Sequence, residues 1–297
     1  MNKTNAFRRM LNEPGPILLG GVYDGLSARL AERAGFDALW ASGLCISSSQ
    51  GVADAGLLTM KELLDAARII NLSTDIPVIA DVDDGFGDFI NVDRMIREYE
   101  SSGIAGVCIE DNRHPKRNSL TNDLRCPLVS AEEFAAKIRA AKAASRNPDF
   151  IVIARVEALI AGLGMEEARR RATMYAEAGA DLIVIHSKEE TVKPVREFAA
   201  QWSLNVPLVA IPTTYADVTV PELYACGYKV CIFANQGMRA AMAAMQKAFE
   251  AMVKHKSIVA SDDMIVPLSK LFEISGFDEL RRLEKEYGTR TFQRAGE

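Results

Sequence analysis

The chain has 297 residues, a net charge of −5, 48% hydrophobic and 25% charged residues, a composition that suits an ordinary globular protein with one large core. No basic block stands ready for nucleic acid or an anionic membrane surface, and no apolar run approaches the roughly 20 residues that a bilayer span needs. Five cysteines (Cys45, Cys108, Cys126, Cys226, Cys231) form no C-x-x-C pair, and with three histidines they point to reduced thiols, not to a disulfide framework or a zinc site. The opening "MNKTNAFRRMLNE" has no apolar leader, so the protein is expected in the cytoplasm.

In chain order, eight short apolar runs read as strands: "ILLGGVY" (17–23), "DALWASG" (37–43), "PVIADVD" (77–83), "AGVCIED" (105–111), "FIVIARVE" (150–157), "DLIVIHS" (181–187), "PLVAIPT" (207–213) and "VCIFAN" (230–235). Their continuous apolar character fits strands covered on both faces, as in a parallel sheet. Between them lie helical stretches such as "DGLSARLAERAG", "TMKELLDAARII", "NVDRMIREYESSG", "SAEEFAAKIRAAKAAS" and "MEEARRRATMYAEAG", several with a Ser, Thr, Asp or Asn start. The junctions "AGFDAL", "SGIAGV", "AGADLI" and "CGYKVC" repeat a glycine suited to a left-handed helix stop. Strand and helix alternating eight times argue for a single (β/α)8 TIM-type barrel over 1–297, the doubly wound open sheet being the competitor. About 238–297 form extra C-terminal helices, placed on the protein's own barrel or on a neighbouring subunit.

A barrel of this kind carries its active site at the C-terminal strand ends. Those ends are polar here: Trp40, Ser42 and Gly43; Asp81, Asp83 and Asp84; Glu110 and Asp111; Arg155 and Glu157; His186 and Ser187; Thr213; Asn235. Asp81 and Asp83, two apart on one strand, point the same way if Val82 points outward, and Glu110 comes from the next strand. Three converging carboxylates repel unless a cation relieves them, and hard oxygen ligands suit Mg2+; solvated loop acids or helix caps are the plainer reading. Arg155 either pairs with a strand-end acid or offers a planar cation to an anionic substrate. A lone His186 is ordinarily a hydrogen-bonded structural histidine. No G-x-G-x-x-G or phosphate-loop pattern supports nucleotide binding.

After Asp111 the periodicity stops until a helix begins near Ser130, where strand-to-helix connections usually run roughly 2 to 6 residues. Pro115, Asn118 and Asp123 disfavour a hidden helix there. Lys116, Arg117 and Asn118 read as donors on a lid that closes over an anion, or else as a solvated basic tip; the position beside Glu110 favours the lid.

Together these stretches resemble the phosphoenolpyruvate mutase and isocitrate lyase superfamily, and within it the mutases. The family's E-D-K, five residues, N-S signature reads "EDNRHPKRNS" here, and "WASGL", "DVDDGFG", "ARVEALIAGLG", "AGADLIVIHS" and "VPLVAIPT" match as well. The resemblance implies a barrel whose last helix is exchanged with a neighbouring subunit in a homodimer or homotetramer. It implies Mg2+ held by Asp81, with Asp83 and Glu110 acting largely through water, and a pyruvyl group bound by Trp40, Ser42, Gly43 and Leu44. The phosphoryl group of phosphoenolpyruvate or phosphonopyruvate would meet Arg155, His186, Asn118 and Ser119, with Lys116 helping from the lid and Asp54 beside the migrating group. Related phosphonopyruvate hydrolases tend to carry Thr-Ser in place of Asn118 and Ser119. The carbon-carbon lyases carry a K-K/R-C-G lid, whereas "PKRNS" has no cysteine. Two departures stand out: Asn112 replaces the signature's Lys, and Asp84 stands where the mutases usually have Thr. They keep open a barrel that binds without catalysis, and they are expected to alter lid closure, metal affinity or tolerance of an anion.

Overall fold

The computed structural model describes residues 2–121 and 127–288; Asp123 and Cys126 lie outside them. The elements run α1 (Lys3–Asn12), β1 (Ile17–Val22), α2 (Gly25–Ala34), β2 (Ala38–Ala41), α3 (Gly43–Ser49), α4 (Met60–Leu72), β3 (Val78–Asp81), α5 (Phe89–Ser101), β4 (Gly106–Glu110) and α6 (Ala131–Ala144). They continue with β5 (Ile151–Val156), α7 (Gly164–Glu177), β6 (Leu182–Ile185), α8 (Lys193–Ala200), β7 (Leu208–Ala210), α9 (Val220–Ala225), β8 (Tyr228–Phe233), α10 (Gln236–His255), α11 (Leu268–Ser275) and α12 (Phe277–Tyr287). Every strand pairs in parallel with the next, and β1 also pairs with β8 through Ile17 and Val230, closing the barrel and excluding the open sheet.

Burial on both faces explains why the strands are apolar throughout. Every second residue, among them Leu19, Trp40, Ile79, Cys108, Ile153 and Val184, packs into one cluster inside the barrel. The alternate residues, such as Leu39, Ala80, Val82, Ile109, Ala154 and Ile185, pack into a second cluster with the helices. Asp24, Thr59, Asp88, Ser130 and Thr219 cap helices by accepting backbone N–H groups. In the four repeated junctions Gly35, Gly103, Gly179 and Gly227 all adopt positive φ, from 77° to 103°, the backbone state that lets the chain leave a helix and enter the next strand.

The chain forms two compact units, Met1–Met238 and Arg239–Glu297. The first holds the barrel. The second holds most of α10, a short 3₁₀ stretch at Ile258–Met264, α11 and α12; α11 and α12 meet at Gly276, where the rings of Phe272 and Phe277 lie 4.7 Å apart. Among the described residues no helix is long and apolar enough to cross a membrane, and Cys45, Cys108, Cys226 and Cys231 are free thiols.

Candidate active site

Inward register sends Trp40, Asp81, Glu110, Arg155 and His186 to the same end of the barrel. They line one cavity, with an empty volume of about 480 Å³, together with Ser42, Leu44, Asp54, Lys116, Asn118 and Ser119. Gly43 and Asp83 stand just behind its wall. A Cβ built on Gly43 would lie 3.2 Å from Asp83 Oδ1 and 3.3 Å from Asp81 Oδ2, so both carboxylates turn toward the start of α3. Val82 between them points outward into the helix layer, although β3 itself ends at Asp81 and Asp83 sits in a left-handed turn at φ 52°. Ser42, Gly43 and Leu44 do not extend β2 either; Ser42 caps α3, its Oγ accepting from Cys45 N.

The segment after Asp111 has paired legs. Asn112 bridges Leu128 in antiparallel fashion, Arg113 N donates to Pro127 O at 2.8 Å, and Val129 N donates to Asp111 O at 3.0 Å. From this base the chain enters the cavity mouth. Lys116, far from being a solvated tip, is 4% exposed, and its ammonium lies 2.6 Å from Asp54 Oδ1 and 2.8 Å from Asp83 Oδ1. Asn118 Nδ2 donates to Asp54 Oδ2 at 2.6 Å. Burial opposes the charge of Lys116, but Asp83, Glu110, Asp54 and Asp81 together hold it well above the usual lysine range.

Arg155 pairs with strand-end acids and also lines the cavity. Its Nε donates to Glu157 and lies 3.6 Å from Glu110 Oε2, while Nη2 reaches Ser119 Oγ at 3.3 Å and His186 Nδ1 at 2.8 Å. His186 Nδ1 is also 2.9 Å from Glu157 Oε1. Burial, then the neighbouring guanidinium, keep the imidazole pKa below its ordinary value, so the ring is neutral. Glu157 is fully buried, and although burial alone would raise its pKa, the Arg155 guanidinium beside it draws it down to about 2. Residue reading placed Glu157 at a strand end without a site role; the signal is its spacing in R-V-E, which gives it the inward register of Arg155. Thr213 and Asn235 also line the cavity, and Asn235 Oδ1 is buried without a hydrogen-bond partner.

The acids beside them are out of balance. Burial raises Asp83 to about 7 and Glu110 to about 8. Among the described residues no three His, Cys, Asp or Glu side chains form a ready-made metal cage, because Lys116 occupies Asp83 and Arg155 flanks Glu110. The donor chemistry nevertheless fits a hard divalent cation: the Asp81 and Asp83 carboxylates crowd one point, and Asp83 Oδ1, close to Lys116 as an ion pair, lacks a hydrogen bond of good geometry.

The two sequence departures have partners. Asn112 Nδ2 donates to Glu110 Oε1 at 2.8 Å, leaving Asn112 Oδ1 buried and unpaired. Asp84 is buried against His114. On the outward register, Asp111 accepts from Glu157 N (2.9 Å), Arg171 Nη1 (2.9 Å) and Tyr175 OH (2.7 Å), tying β4 to the start of the β5 loop and to α7.

Residues 7–253 match the family described as Phosphoenolpyruvate phosphomutase. The phosphoenolpyruvate phosphomutase of Streptomyces hygroscopicus is 43% identical over 284 residues, covering 94% of this chain and 90% of that protein. The crystal structure of a phosphoenolpyruvate phosphomutase from Streptomyces platensis subsp. rosaceus is similar with a TM-score of 0.94 and 46% identity, covering 96% of this chain and 99% of that one. A phosphonopyruvate hydrolase solved in complex with oxalate and Mg++ is similar with a TM-score of 0.91 and 37% identity, covering 97% of this chain and 100% of that one.

Proposed function

Since this chain belongs to the phosphoenolpyruvate phosphomutase family, we propose that it is a Mg2+-dependent mutase interconverting phosphoenolpyruvate and phosphonopyruvate. In that reaction the bond from phosphorus to the enol oxygen breaks and a bond from phosphorus to the methylene carbon of the same pyruvyl skeleton forms. The migrating group is close to metaphosphate, so it needs a positive cradle and a site free of water. The observation that carries the reading is the seated loop root, in which Lys116 joins Asp54 to Asp83 and Asn118 donates to Asp54 at the cavity wall.

Arg155, His186, Asn118 and Ser119 would hold the phosphoryl oxygens. Neutral His186 cannot accept from Arg155 and donate to Glu157 through the same Nδ1; with the proton on Nε2, Nδ1 accepts from Arg155 and the ring offers a donor to an anion. Trp40, Ser42, Gly43 and Leu44 would hold the pyruvyl end. Asp54 orders Lys116 and Asn118 around the migrating group. Asp81, Asp83 and Glu110 would hold Mg2+, which when bound supplies positive charge where the pyruvyl oxygens become negative; its presence in the solved hydrolase relative supports this choice of ion.

The second reading is phosphonopyruvate hydrolysis, favoured by the likeness to that same relative. Lyase chemistry lacks support, since "PKRNS" at 115–119 contains no thiol. Phosphorus NMR of the enzyme with phosphonopyruvate and Mg2+ separates the cases: a phosphoenolpyruvate resonance is expected, whereas free phosphate with equimolar pyruvate identifies a hydrolase. Neither product at high enzyme concentration overturns both and leaves a binding barrel.

A further inference from the structure

We infer that Asp84 and His114 form a latch that fastens the loop root to the turn between β3 and α5 and so positions Lys116 and Asn118; the inference rests on the reading of a cavity that must exclude water. Asp84 is 1% exposed, and its Oδ1 and Oδ2 lie 3.1 and 2.9 Å from His114 Nδ1. The carboxylate is itself held in place. Its Oδ1 accepts from Phe86 N at 2.9 Å, and the buried ammonium of Lys137 donates to Asp84 O at 3.0 Å. Since the carboxylate oxygens accept, His114 donates through Nδ1–H.

On the loop side, His114 is followed by a segment with no slack. A Cβ on Gly56 would stand 3.1 Å from Pro115 Cβ and 3.2 Å from Lys116 N, so this stretch rests directly on the turn that carries Asp54. Residues 113–119 are held by His114 to Asp84, Lys116 to Asp54 and Asp83, and Asn118 to Asp54, with further contacts from Arg113 to Pro127, Arg117 to Ala55 and Ser119 to Arg155. Lys116, Asn118 and Asp54 line the cavity, and substrate will compete for them. Neither His114 nor Asp84 lines it. The latch is a side-chain attachment that persists while those of Lys116 and Asn118 exchange partners, and the Asp84 carboxylate is directed at the loop.

The test is hydrogen exchange on the full chain with Mg2+, following amides 116–121 in the wild type, His114→Phe, Asp84→Thr and the double variant. Each single variant is expected to raise exchange about 10-fold, as loss of a hydrogen bond to a charged group implies, and the double variant to add nothing further. Unchanged exchange, or single effects that multiply in the double variant, overturns the latch. His114 is half exposed, so His114→Phe decides the matter even if Asp84→Thr fails to fold. With phosphonopyruvate, the single variants should raise KM several-fold and shift product toward phosphate. Raised exchange in proteins that never convert phosphonopyruvate upholds the latch and removes the mutase reading.

Discussion

Asp54 touches both the cation and the amide that the loop brings into the cavity, and Lys116 stands between it and Asp83. Asp54→Ala should therefore lower phosphoryl transfer by about 100-fold or more while calorimetry still records Mg2+ binding; undiminished turnover contradicts its proposed place. Titration gives a second handle. Burial raises Asp83 to about 7 and Glu110 to about 8, so their protonated forms stabilise the metal-free fold fully below the ordinary carboxylate range, and that stability is lost as pH rises through 7 to 8. A cation must displace those protons. The rise in Tm caused by Mg2+ should grow between pH 6 and 8.5, and a constant rise would show that these acids do not meet the ion. At this scale much was legible in the sequence, because strand-end position alone brought Asp81, Glu110, Arg155 and His186 together. What sequence could not supply was pairing: Lys116 swallowed by acids, Arg155 joined to His186 and Ser119, and Asp84 reaching His114 depend on contacts between distant segments.

Asp111 shows how elements carry the site. It follows Glu110 directly, so its side chain points outward to α7, where Arg171 and Tyr175 meet it, while its Oδ1 holds Glu157 N. One short strand end thus serves the cavity on one face and the helix layer on the other. Asp111→Ala leaves Arg171 with Glu167 as its remaining carboxylate and strips partners from Tyr175 OH and Glu157 N, so it should cost about 2–3 kcal/mol of stability, measured by urea unfolding; a loss under 1 kcal/mol would show the contact to be incidental. The eight strands and the glycine stops were readable because apolar runs and left-handed turns are local signals. Asp83 lies past the end of β3 in a left-handed turn that no sequence period marks, and α3 was hidden because "GLCISSS" has no polar face to set a helical period. The loop's legs escaped notice for a similar reason, since a single bridge between Asn112 and Leu128 leaves no pattern.

At the scale of the molecule, α10 exposes Met242, Met245, Phe249 and Val253 along one side, spaced by three or four residues as a single helical face requires. A stripe of this kind supports assembly with a second copy. Light scattering after gel filtration should give a homodimer or homotetramer, and Phe249→Glu should lower the mass toward the monomer; a monomeric wild type removes the proposal. The barrel mouth has a last consequence. The acids Asp54, Asp81, Asp83, Glu110 and Glu157 crowd it, and among the described residues the cations beside them are Lys116 and Arg155, next to a neutral His186. An anion arriving alone meets repulsion there. On the proposed function, a divalent ion held by Asp81 and its neighbours would relieve that repulsion, so substrate should bind more tightly with Mg2+ present than without it.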